Sequence, residues 1–147
     1  MFKRILVATD GSTRSNHALK AAARFAKTFD ASLTIFHAIP EYRMPYYPES
    51  AVYDWPSEAQ YIKDSVKEAA KLLGKARALV AKYGVKATVA YTHSDAPSEA
   101  LIKAARKVRA DVIVMASHGR KGLERLLLGS ETQKVLTHSK LPVLVVR

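Results

Sequence analysis

The chain has 147 residues, near the commonest size for one domain, so a single core and one domain over residues 1–147 are expected. Apolar residues at 48% and charged residues at 25% exclude disorder over most of the length, and the lack of cysteine excludes disulfides, thiolate metal sites and a cysteine nucleophile. The net charge of +11 is uneven: residues 1–60 carry seven Lys/Arg against six Asp/Glu, and 61–147 carry seventeen against seven, a surplus that suits anionic partners or a merely solubilising surface.

The continuous apolar run Ile5 to Ala8 reads as a strand covered on both sides, as in a parallel sheet. The four consecutive apolar residues before Thr9 are too few for a signal core or a membrane span, and the expected location is cytoplasmic. After Gly11-Ser12, apolar residues at 18, 22, 25 and 29 mark a helix. Ser32 to Ile39 is β-branched and aromatic and forms the second expected strand. The connection Pro40 to Ser57 holds four prolines, four tyrosines and the only tryptophan; a lid, a partner surface or an aromatic cover over one helix would each account for it. Ile62 to Val80 reads as a second helix, whose Lys63, Lys67, Lys71 and Lys75 make a stripe best taken as a solvated face, without the interleaved aromatics of a nucleic-acid surface. Val85 to Tyr91 alternates as a third strand, Asp95 stands as a cap before a helix opened by Pro97, and "DVIVMAS" is a fourth, buried strand. A short helix from about Ser130 and the strand "LPVLVVR" complete the chain, with Pro142 placing that strand at a sheet edge.

Five strands alternating with four helices predict an α/β fold: a Rossmann-like parallel sheet with helices on both faces and right-handed crossovers. Ligands of such sheets sit beyond the strand carboxyl ends where the winding reverses, which brings "ATDGS" after strand 1 toward the segment after strand 4. Asp10 there can accept a ribose hydroxyl or hold a metal through water, or simply cap the turn. In "ASHGRKGLERLLLGSETQ" the glycines permit close approach of an anion, and Gly129-Ser130 opens a helix whose amides favour phosphate. Ser130 and Thr132 add hydroxyl donors, while Arg120, Lys121 and Arg125 offer positive charge. The stretch matches neither G-x-x-x-x-G-K-[ST] nor G-x-G-x-x-G.

"ILVATDGS", "ADVIVMASHGRKGLERLLLGSETQKVL" and "PVLVV" together resemble the universal stress protein family along essentially the whole chain. The nucleotide-binding branch of that family has Gly, two residues, Gly, nine residues, then Gly-Ser or Gly-Thr. Here Gly119, the nine residues Arg120 to Leu128, and Gly129-Ser130 fit, while Ala116 replaces the first glycine. An alanine there lowers affinity if the position needs positive φ or very close ligand approach.

The resemblance implies an adenine nucleotide alpha hydrolase-like fold, ATP with Mg2+ or Mn2+ on its phosphates, and a homodimer through the last strand. It places Asp10 beside the ribose and metal and the main chain of Ala38 at the adenine, with Ala8 and Thr9 also among the nucleotide-binding residues. It sets Met115, Ala116, Ser117, His118, Gly119 and Arg120 along the nucleoside and phosphates, with Gly129, Ser130, Glu131 and Thr132 on the phosphates. His118 could also be phosphorylated, but binding without covalent chemistry is favoured, and no residue is assigned a catalytic role. An ATP-binding regulator of the stress response is therefore expected. A slow ATPase or autophosphorylating enzyme would want more carboxylates than Asp10 and Glu131, and a member that no longer binds nucleotide is the alternative raised by Ala116. A phosphorelay receiver shares the layout but wants paired acids after strand 1, and Asp10 has no acidic neighbour.

Overall fold

The computed structural model describes residues 1–44, 46, 54–119 and 128–147. The chain alternates β1 (Arg4–Ala8), α1 (Thr13–Phe29), β2 (Ser32–Ile39), α2 (Glu58–Ala81), β3 (Ala87–His93), α3 (Pro97–Lys107), β4 (Val112–Ala116), α4 (Ser130–His138) and β5 (Val143–Val146). The strands form one parallel sheet in the order β3-β2-β1-β4-β5. The chain builds outward from β1 to β3, then returns to lay β4 on the other side of β1, so the winding reverses between β1 and β4.

Alternate residues of each strand feed two separate cores. Ile5, Val7, Leu33, Ile35, Val112 and Val114 pack beneath α1 and α2, whereas Leu6, Phe36, Ile113 and Met115 pack beneath α3 and α4. That explains the unbroken apolar runs in β1 and β4: both sheet faces are covered. Each fully buried Ile, Leu or Val contributes about 1.5–3 kcal/mol. α1 approaches closely because its inward stripe is mostly Ala18, Ala22, Ala23 and Ala26. It starts at Ser12, whose side chain accepts from the Ser15 amide, and ends at Asp30 in the left-handed region at φ 48°.

The structure departs from the sequence reading in three places. α2 begins at Glu58 rather than Ile62, because Ser57 caps it by accepting from the Gln60 amide; Ser57-x-x-Gln60 is a capping signal that apolar periodicity does not register. The extra turn leaves Ile62 exposed, while Lys63, Lys67, Lys71 and Lys75 lie in solvent as expected. β3 runs from Ala87 to His93, two residues later than the alternation suggested, because pairing with β2 sets its register from Leu33↔Ala87 to Ile39↔His93. Finally, Asp95 does not cap α3. Its carboxylate accepts from the Glu41 amide at 3.1 Å and from Arg43 Nε and Nη2 at 2.9 and 2.8 Å.

Those Asp95 bonds fix the start of the Pro40–Ser57 connection. Tyr61 of α2 donates to Pro40 O at 2.6 Å, Tyr42 donates to Pro56 O at 3.0 Å, and the two rings lie 5.4 Å apart. An aromatic cover over α2 is thus present at Tyr42, while residues 45 and 47–53 lie outside the described residues.

Candidate functional site

β1 and β4 pair side by side through Val7↔Val114 and release their following segments on the same edge of the sheet. After β1, Thr9 is held on all sides: its amide donates to Phe36 O at 2.9 Å, its carbonyl faces His37 Nδ1 at 2.8 Å, and its hydroxyl meets Ser15 Oγ at 3.1 Å. Gly11 turns the chain at φ 78°, where its missing Cβ avoids strain. Asp10 Oδ1 accepts from the Ser12 amide at 2.9 Å. The aspartate therefore does shape the turn into α1, and one oxygen is engaged in doing so.

Its other oxygen reaches across to the segment after β4. A Cβ on Gly119 would stand 2.9 Å from Asp10 Oδ2, closer than carbon and oxygen tolerate, so the glycine makes room for the carboxylate. Ser117 begins this segment, with its amide donating to Val146 O at 2.8 Å and its hydroxyl 3.1 Å from His118 Nδ1. The chain then returns at Gly129, whose amide donates to Ser117 O at 2.7 Å. A Cβ there would meet Ser117 O at 3.2 Å and His118 Cα at 3.3 Å. Since Gly129 has φ −59°, its requirement is space rather than a special backbone angle.

Gly129 also stands at the N-cap of α4 with no side chain to fill that role. Helix-start amides lack partners within their own helix, and their dipoles favour an anion. α1 and α2 solve this with Ser12 and Ser57; α3, whose cap residue Ala96 offers nothing, borrows Glu131 Oε2, which accepts from the Ser98 amide at 2.9 Å. The start of α4 has no such device among the described residues.

The residues singled out from the sequence divide accordingly. Asp10, Gly119, Gly129 and the main chain at Ser130 converge across β1 and β4. Ala8, Ala38 and Met115 share the α3 and α4 side of the sheet at or near its carboxyl edge and offer an apolar wall. Thr132 is buried, and its one hydroxyl proton is shared between Ala116 O at 3.0 Å and Ser117 O at 3.1 Å, so this side chain holds the loop instead of facing a phosphate. Glu131 turns away toward α3, with Oε1 also 2.8 Å from Lys134 Nζ. Burial of that carboxyl works against ionisation, but the Lys134 ammonium and the Ser98 amide outweigh it and hold Glu131 below its ordinary value. Arg120, Lys121, Gly122 and Arg125 lie outside the described residues.

Ala116 ends β4 as an ordinary strand residue; among the described residues, Asp30 and Arg109 are the non-glycines with positive φ. Its methyl packs on the α1 and α2 core, so alanine carries no backbone strain there. Two supports escaped the sequence reading: His37 behind Thr9, and Ser98 beneath Glu131. The second joins residues 33 apart, which no local pattern marks.

A model of the universal stress protein family matches residues 1–147. The chain belongs to that family. A universal stress protein of Methanocaldococcus jannaschii, MJ0531, is 33% identical over 100% of this chain and 83% of its own length. Among solved structures, hypothetical protein MJ0577 superimposes with a TM-score of 0.80 at 26% identity, over 99% of this chain and 96% of that one. A universal stress protein solved in complex with cAMP shares the fold at a TM-score of 0.74 and 24% identity, covering 99% and 97%. Other universal stress proteins of this fold were solved with dAMP and with AMP. The Rossmann-like α/β fold expected from the sequence is thus the fold of this family.

Proposed function

We propose that this universal stress protein binds ATP in the crevice beyond β1 and β4 and acts as a nucleotide-dependent regulator of the stress response in the cytoplasm. The observation that carries the reading is the glycine-lined junction of Asp10, Gly119 and Gly129, set against an α4 start at Gly129 that has no side-chain cap among the described residues. Adenine nucleotides bound by proteins of the same fold support it. The amides at Ser130 and Glu131 would receive phosphate oxygens, with Ser130 Oγ as a further donor. Asp10 Oδ2 would meet the ribose or a Mg2+ or Mn2+ brought with the phosphates, and Ala8, Ala38 and Met115 would seat the adenine. A metal bound there would neutralise phosphate charge.

Binding is favoured over turnover. Rapid phosphoryl transfer needs several acids for metal and nucleophile, and of Asp10 and Glu131, the carboxylates near the crevice among the described residues, Glu131 is committed to Ser98 and Lys134. Denaturing the purified protein should release adenine nucleotide, and calorimetry should show added ATP binding. Gly129→Val should abolish that binding while leaving the oligomeric state unchanged, because the new side chain fills the space against Ser117 O and His118. If ATP neither copurifies nor binds, or if Gly129→Val binds it as well as wild type, the reading fails.

A further inference from the structure

Away from the crevice, the outer surface of α3, α4 and the turns that follow them carries a concentration of positive charge in which basic residues outnumber acids. Among the described residues the ion pairs are Arg43–Asp95 and Lys134–Glu131. Lys103, Arg106, Arg109 and Lys140 are all exposed and take part in neither. Lys103 and Arg106 line an open groove of about 440 Å³ between the two helices, which continues around Ile102 and Arg106 into a second hollow of about 250 Å³ lined by Arg109 and Lys140. The floor of this course is apolar: Ile102 and Leu141 are half-buried, with Ala105 and Ile113 beneath them. Glu99 is the acid lining it.

We propose that this groove docks an acidic, amphipathic polypeptide segment, whose apolar side covers Ile102 and Leu141 and whose carboxylates meet Lys103, Arg106, Arg109 and Lys140. Charge complementarity selects an anionic partner. The apolar floor selects a polypeptide, since a phosphodiester chain has nothing to bury there. Single-stranded nucleic acid binds by stacking bases on exposed aromatic rings, and the described lining of the two hollows holds His138 but no Phe, Tyr or Trp. The contrast with α2 is one of degree: two acids, Asp64 and Glu68, lie between Lys63, Lys67, Lys71 and Lys75, against Glu99 beside the groove. Docking at the α3–α4 groove does not depend on nucleotide in the crevice.

Fluorescence anisotropy tests this with a fluorescein-labelled synthetic helix of Glu and Leu, about five turns long, titrated with the intact protein. Saturable binding that weakens as salt is raised is expected. Lys103→Glu combined with Arg106→Glu should weaken it about tenfold or more. Lys67→Glu combined with Lys71→Glu changes the net charge equally and should leave it unchanged. Ile102→Ser should also weaken binding, with circular dichroism verifying the fold. Absence of peptide binding, equal losses from the two charge reversals, indifference to Ile102→Ser, or tighter binding of a single-stranded oligonucleotide of equal charge would each overturn the proposal.

Discussion

Gly119 and Asp10 lie 109 positions apart in the chain yet compete for one volume, which makes them a pair and not two independent contributors. A methyl on Gly119 would force the Asp10 carboxylate to rotate, and rotation breaks its bond to the Ser12 amide. Gly119→Ala should therefore weaken ATP binding and lower the melting temperature in the wild-type background, but do little once Asp10→Ala has removed the carboxylate. A double-mutant cycle read by calorimetry and thermal unfolding should return a coupling of about 0.5–3 kcal/mol. Additive effects would show that the two residues act separately. From the sequence, glycine spacing points to the right stretch but assigns the glycines a single purpose. In the structure Gly119 yields space to a side chain and Gly129 to a crossing backbone, a distinction that depends on contacts absent from any local pattern.

At the scale of elements, α3 and α4 are joined by Glu131, the side chain that completes the first turn of α3 in place of a local cap. Glu131→Ala should cost about 0.5–2 kcal/mol, the usual loss for an N-cap. Glu131→Gln keeps an acceptor for the Ser98 amide and loses only the exposed pair with Lys134, a smaller effect. Because the folded protein holds Glu131 below its ordinary value of 4.5, the advantage of wild type over Glu131→Gln should be full above that pH. It should shrink as pH falls below 4.5 through the lowered value, as thermal unfolding across the acid range would measure. An advantage that grows with acid would contradict this assignment. Most elements were legible because one kind of physics dominates each: continuous apolar runs for β1 and β4, and a four-three-four spacing for α1. The misread boundaries fall where another force decides, a cap at Ser57 and strand register at Ala87.

At the scale of the molecule, β5 is the edge strand of the sheet among the described residues, and all four of its apolar residues are half-buried. Val143 packs into one core and Leu144 and Val146 against the other, whereas Val145 packs into neither. If two copies pair along this edge, as the family resemblance implies, Val145→Lys should convert the dimer to a folded monomer, because the substituted side chain is not needed within the chain. Sedimentation velocity would decide, and an unchanged dimer would move the interface elsewhere. The bonds that gather Ala116, Ser117, Gly129 and Thr132 carry a consequence for how such a chain can diversify. They clamp the two ends of the intervening segment directly to each other, so the scaffold does not depend on what is spliced between them. Doubling the length of a closed loop costs only about 0.6 kcal/mol. The interval from Gly119 to Gly129 is in that sense a cassette: its sequence and length can be rewritten at little cost to the sheet on either side.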